Sequence, residues 1–318
     1  MNLSTTALRG GASTLDTRMN SRSTKIVFAG ILVASSLSVA LAQASFQQQT
    51  KEWRQKREAT LKADDGWLTV SGLFWLKEGT NTFGSAKTQD VVLPRNSAPA
   101  KAGTLELHND IVTLRVSDGV DLKVDKQPVR EYEMKFDGEK PPVSFNVGTL
   151  NLTVIKRGAR FGLRVRDRNS EARRQFKGLR WFSANESYRV TATFTAYQEP
   201  KEIIIMNVLG DELKMKTPGL LTFQLHGQSF SLRPVIEDDK LFIIFRDRTS
   251  GKTTYGAGRF LYAEMPKDGK VVLDFNRSEN PPCAFTPYAT CPLPPAQNRM
   301  SISISAGELA YHLKQTKQ

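Results

Sequence analysis

Leu150-Asn151-Leu152-Thr153-Val154-Ile155-Lys156-Arg157-Gly158-Ala159-Arg160-Phe161-Gly162-Leu163-Arg164-Val165-Arg166-Asp167 reads as two short strands around a glycine turn. Side chains alternate across a strand. In the second strand Phe161, Leu163, Val165 and Asp167 therefore share one face, and Arg164 and Arg166 share the other. One apolar face and one charged face is the pattern of a half-buried antiparallel strand.

The same cadence extends in both directions. Short apolar segments recur from Val91 to Phe275, among them Thr104–Leu107, Ile111–Val116, Val143–Val147, Tyr188–Tyr197, Glu202–Val208, Leu220–Leu225, Phe230–Pro234, Leu241–Phe245 and Val271–Phe275. Gly, Asn-Asp, Asp-Gly and Asp-Asp turns separate them. The expected fold is all-β, a mainly antiparallel sandwich or barrel. A helix is predicted over 46–63, rich in Gln, Lys, Glu, Arg and Ala, and Asp64-Asp65-Gly66 stops it. Trp67–Leu76 reads as a strand and a buried turn, Phe83-Gly84 as a turn, Ser301–Ser305 as a closing strand, and Glu308–Lys314 as a terminal helical turn.

One pattern occurs twice. Arg166-Asp167-Arg168-Asn169-Ser170 and Arg246-Asp247-Arg248-Thr249-Ser250 each follow an apolar strand, with Gly178 and Gly258 eight residues past the serine. Arg180 and Arg259 come next. The pattern predicts two duplicated β units, 144–197 and 222–278, the alternative being a chance likeness of two hairpins. Each aspartate ends an apolar face and needs a partner. Arg180 and Arg259 are the expected partners, and an Asx-type turn is the alternative.

The expected organisation is a signal peptide over 1–44, a helix over 45–66, a β-rich domain over 67–310 and a tail over 311–318. Arg18, Arg22 and Lys25 precede an apolar run from Ile26 to Ala42 and a small-residue cleavage site. A retained anchor is the alternative, although the run is short for a span. Periplasmic or secreted localisation follows, with no stable membrane span once the signal is removed. The formal net charge is +13. Ten Lys and Arg lie between Lys156 and Arg180 against Asp167 and Glu171. Such a cluster attracts anions. The expected partners are a small anionic molecule or an envelope glycan or lipid. Nucleic acid is not expected, because no binding motif accompanies the charge.

His108, His226 and His312 show no metal spacing. Nucleophile-elbow, phosphate-loop and dinucleotide motifs are absent from the sequence. No metal and no cofactor are expected. Cys283 and Cys291 sit in a proline-dense loop from Asn280 to Pro295. In an oxidising compartment this pair predicts a structural disulfide, and a reactive or ligating thiol pair is the alternative.

Trp67–Leu76 with Gly79, Phe245–Gly251 with Thr254-Tyr255 and Gly258-Arg259, Leu273–Asn276, Asn280–Pro295, Asn298-Arg299-Met300 and Ala306-Gly307-Glu308 resemble, in order, the domain-of-unknown-function family 1684. The resemblance covers about residues 50–310 and implies no known activity. Polar residues crowd its matching segments, and a ligand pocket needs several that converge. The expected binder places Arg246, Tyr255, Arg259, Asn276 and Asn298 around a small or anionic ligand near the cysteine loop, with Trp67, Phe74 and Trp75 as an apolar wall. The alternatives are an enzyme with Asp247, Asp274 or Glu308 as general acid or base in the same pocket, and a cell-envelope interaction protein using the basic face.

Overall fold

The computed structural model describes residues 44–139 and 143–311; residues 1–43 of the expected signal and the last residues of the tail lie outside this range. Helix α1 runs over 44–62 and stops at the turn formed by Asp64-Asp65-Gly66. Its second half turns Arg54, Arg57, Glu58 and Leu61 inward, the i, i+3, i+4, i+7 spacing of one helical face. Leu61 is buried against Leu68 and Phe285. Arg54 Nη2 donates to the Phe182 carbonyl at 2.8 Å, and Glu58 Oε1 accepts the Leu179 amide at 2.9 Å.

The first half of the β-rich region holds β1 (Val70–Trp75), β2 (Gly79–Gly84), β3 (Val91–Val92), β4 (Gly103–His108), β5 (Ile111–Val116), β6 (Leu122–Val124), β7 (Gln127–Pro128), β8 (Glu131–Met134), β9 (Ser144–Val147), β10 (Leu150–Arg157) and β11 (Arg160–Asp167). They form a six-stranded sheet, β1-β11-β10-β9-β6-β7, and a five-stranded sheet, β3-β2-β4-β5-β8. Phe145, Leu152, Val154, Leu163 and Val165 from the first share one core with Phe83, Leu105, Val112 and Leu114 from the second. Alternation explains the sandwich: each strand gives every second side chain to the core.

A short helix, α2 (Glu171–Gln175), is capped by Ser170 and leads on to the second half. That half holds β12 (Arg189–Met206), β13 (Glu212–Leu225), β14 (Gln228–Leu232), β15 (Val235–Glu237), β16 (Lys240–Phe245), β17 (Arg259–Ala263) and β18 (Lys270–Asp274). The sheets are β14-β13-β12-β18 and β15-β16-β17. Their facing residues, among them Leu221, Phe223, Leu273, Leu241, Ile243 and Phe245, form the second core. The other face of β16, Phe242 and Ile244, packs with Phe260, Ile205, Cys291 and Trp67. Burial on both faces is why Leu241–Phe245 reads as an unbroken apolar run. Trp67 joins this cluster from the start of the first half, so the two halves meet along a seam beside the cysteine loop.

The fold is all-β and mainly antiparallel with a short N-terminal helix, as the sequence predicts. Five local readings change. Tyr188–Tyr197 and Glu202–Val208 join into the single strand β12, with a bulge between Ala196 and Lys201 where Pro200 cannot donate to the ladder. Phe83-Gly84 lies inside β2. Trp67–Thr69 is a single 3-10 turn and the strand begins at Val70. Ser301–Ser305 forms no ladder, because the Ile304 amide donates to the Asp247 carboxylate at 2.6 Å instead of to a neighbouring strand. Glu308–Tyr311 is likewise non-helical, since the Glu308, Leu309 and Ala310 amides donate to the distant carbonyls of Ser278, Arg180 and Thr253.

The two Arg-Asp-Arg segments end strands in different settings. β11 lies between β1 and β10 in the six-stranded sheet, and β16 lies between β15 and β17 in the three-stranded sheet.

Candidate functional site

The residues named from sequence come together, but chiefly with the chain itself. Asp247 is buried and accepts from Arg259 Nη2 at 3.1 Å, Thr249 Oγ1 at 2.8 Å and the Ile304 amide. Arg259 is wholly buried and also donates to the Ile304 and Ala306 carbonyls. Asn298 accepts the Arg233 amide and donates to the Arg233 and Ile244 carbonyls. Asn276 makes a two-way bond with the Asn185 backbone and donates to Asp274 Oδ1 at 2.9 Å. Asp274 caps the 3-10 turn Phe275–Arg277. Tyr255 donates to the Cys283 carbonyl at 3.1 Å. The Arg246 side chain is exposed. Asp247, Arg259 and Asn298 stitch the C-terminal segment to β16 and β17. A second cluster holds α1: Arg57 Nε lies 2.9 Å from Glu308 Oε1 and 3.2 Å from Glu279 Oε2, and Arg57 Nη2 donates to the Asn280 carbonyl.

The expected disulfide is corrected. Cys283 and Cys291 are free thiols, and the Cys283 amide donates to Cys291 Sγ at 3.1 Å. Backbone bonds shape the loop without a crosslink: Ala284 N to Pro281 O, Phe285 N to Pro282 O, Leu293 N to Met206 O and Val208 N to Cys291 O. The hydrogen bond from Cys291 holds the Cys283 thiol below its ordinary pKa, while that contact and burial push Cys291 up. Gly258 must be glycine here. Its φ is +117°, and a Cβ would meet Pro294 Cγ at 2.5 Å.

The least satisfied charges lie on the outer face of β11, turned toward this loop. Arg164 is 5 % exposed. Its Nη1 is 3.9 Å from Asp137 Oδ2, and its Nε and Nη2 hydrogen-bond nothing among the described residues. Arg166 Nε is unpartnered in the same sense. The guanidinium carbons of Arg164 and Arg166 lie 5.2 and 6.0 Å from the centroid of the Trp67 ring. Arg157 ends β10 close by. It forks onto Asp137 at 3.0 and 2.7 Å, and its Nε donates to Thr290 Oγ1 at 2.7 Å, which ties the sheet to the cysteine loop. Burial lowers the Arg164 pKa to about 10, with repulsion from Arg157 and Arg166 adding to it and Asp137 and Cys291 opposing it. Burial also lowers Arg166.

Alternation on β11 placed Arg164 and Arg166 on one face. What the sequence reading missed is that this face is covered, and that Asp137, Arg57 and Glu279 belong to charge clusters. Among the described residues no group of three His, Cys, Asp or Glu could hold a metal, and no helix is long and apolar enough to cross a membrane.

These features define an all-β protein of two packed sandwiches with a charged seam. The chain belongs to the family described as protein of unknown function (DUF1684), which matches residues 174–309. It is similar to the uncharacterized protein from gene locus rrnAC0354 of Haloarcula marismortui, at 33% identity over 43% of this chain and 78% of that one, with a TM-score of 0.37. Two FHA structures, one from an analysis of phosphothreonine-dependent FHA domain interactions and one of the FhaA FHA domain complexed with the intracellular domain of Rv3910, are 15% identical with TM-scores of 0.21. Each covers 30% of this chain, and 92% and 97% of those chains respectively. A likeness so slight carries no argument. No curated protein matches.

Proposed function

We propose that this is an exported protein that binds a small anionic ligand at the seam, between the Arg157–Arg164–Arg166 face and the Cys283–Cys291 loop. Arg164 carries the reading. A guanidinium buried without its hydrogen bonds is costly, and a bound anion would offset that cost. Arginine suits the task because it is weakly hydrated and offers a fixed fork of donors. Export is part of the proposal because residues 1–44 read as a signal. The binding site differs from the one expected from sequence: the loop stays, while Arg164 and Arg166 replace Asn276, Asn298 and Arg259, whose Nε is idle among the described residues but whose Nη1 and Nη2 are held by the Ala306 and Ile304 carbonyls and Asp247.

One observation favours the enzyme alternative. Glu279, with a side chain 14% exposed, has its pKa raised by burial to about 7, beside Arg57, Glu308 and Glu237. A carboxyl group poised near neutrality suits acid–base work. Glu308, Asp247 and Asp274 are taken up by protein partners, so the binding reading stands first.

Native mass spectrometry of the protein recovered from its own cells tests the proposal. An anionic adduct present in the wild type and absent from Arg164→Met is the expected result. An adduct that survives Arg164→Met, or none in either protein, overturns it.

A further inference from the structure

We infer that the seam takes a compact, doubly charged oxyanion of the phosphate or sulfate type, gripped by Arg164 and Arg166; this rests on the anion-binding reading above. Charge is the first ground. Arg157, Arg164 and Arg166 bring three positive charges to one covered sheet face, and Asp137 supplies one negative charge, committed to Arg157 in a fork. Asp65 faces Arg166 but is exposed, so solvent screens it. Two charges at the covered face remain unanswered.

Donor geometry is the second ground. The free positions are Arg164 Nε and Nη2 and Arg166 Nε. They are directional N–H donors on residues two apart in one strand, and both guanidiniums lie against the same Trp67 ring. Guanidinium forks match oxyanions, each oxygen of which accepts more than one hydrogen bond. A halide has no such directionality, and acetate answers only one of the two charges. The neighbouring arginine is paired without the ligand: Arg157 is held by Asp137 and Thr290, and Thr290 belongs to the loop. The exposed basic residues that follow in the chain differ in kind. Arg168, Arg174 and Lys177 are exposed, so salt would screen anything they hold.

The test titrates the full chain at constant ionic strength with inorganic phosphate, sulfate, acetate and chloride, and reads tryptophan fluorescence and melting temperature. Phosphate and sulfate are expected to bind and raise the melting temperature, with acetate and chloride at least roughly tenfold weaker. Arg164→Met should weaken phosphate by about tenfold or more, as loss of charge-assisted hydrogen bonds does. Arg164→Lys keeps the charge without the fork and should fold while losing most of the phosphate preference. The double variant Arg174→Ala, Lys177→Ala should bind as the wild type does. Acetate or chloride binding as tightly as phosphate overturns the doubly charged class and leaves the anion reading intact. Arg164→Lys binding phosphate like the wild type overturns the guanidinium grip. Phosphate binding lost in the Arg174, Lys177 variant but kept in Arg164→Met moves the site to the exposed face, and both readings fall. Wild type that binds none of the four ions overturns the inference, and a Met-sensitive native adduct would then still preserve the broader proposal.

Discussion

Two strands end on the same four letters in kind, Arg-Asp-Arg and a small polar residue, and use them oppositely. At the end of β11, Asp167 is half-exposed and fixes a local turn, accepting the Asn169 amide at 2.8 Å and the Thr149 hydroxyl at 3.3 Å. At the end of β16, Asp247 is buried and anchors Arg259 and the C-terminal segment. Two residues before each aspartate-preceding arginine the contrast reverses. Ile244 is buried in an apolar cluster, while the matching Arg164 is also buried, with its Nε and Nη2 donors idle. One strand spends its burial on stability. The other holds a charge that stability alone does not require.

The largest effect should come from breaking the satisfied pair. Arg259→Met leaves Asp247 buried without its guanidinium and should cost about 3–5 kcal/mol, measured by denaturant unfolding. A cost below about 1 kcal/mol would show that the Thr249 and Ile304 bonds suffice for Asp247.

The next is a pH effect. The folded pKa of Glu279, raised to about 7, exceeds its ordinary 4.5. The folded state then holds the extra proton, so stability is full below about pH 4.5 and falls as pH rises toward about 7, by at most about 3 kcal/mol for the Glu279–Glu308 pair. Glu279→Gln should flatten that slope in melts taken across this window. An unchanged slope would assign the titration elsewhere.

Arg164→Met should act in the opposite direction to Arg259→Met. With no anion present it should raise stability by about 1 kcal/mol, because an under-satisfied buried charge is replaced by a stem of similar length. A fall of that size would make Arg164 a structural residue. Smallest of all, Asp167→Ala should cost no more than about 1 kcal/mol, the worth of an exposed turn bond. A loss matching that of Arg259→Met would erase the contrast between the two strand ends.

Legibility followed the range of the interactions. The faces of β11 were readable because alternation is a property of neighbouring residues. The helix and its stop at Asp64-Asp65-Gly66 were readable for the same reason. The closing strand was misread because Ser301-Ile302-Ser303-Ile304-Ser305 alternates like a strand yet pairs with the Asp247 carboxylate. The disulfide was misread because composition and compartment can argue that two cysteines should pair, but not where the Cys283 amide points. Asn276, Asn298 and Arg259 were singled out as ligand-binding candidates, and in the fold their hydrogen bonds go to the chain's own backbone and carboxylates.

Sequence alone was enough for the all-β class, the places of most of the named strands, the N-terminal helix and the family, because periodicity, turn chemistry and ordered motifs are local; β13, expected from Leu220, begins at Glu212. Only the tertiary structure decided which charges are answered. Asp137 meets Arg157 across 20 positions, Thr290 meets it across 133, and Arg57 meets Glu308 across 251. Burial and pairing depend on distances that no short stretch encodes, so Arg164 and Arg259 look alike in sequence, yet Arg259 is bonded to Asp247 and two carbonyls while Arg164 pairs, among the described residues, only with Asp137 at 3.9 Å.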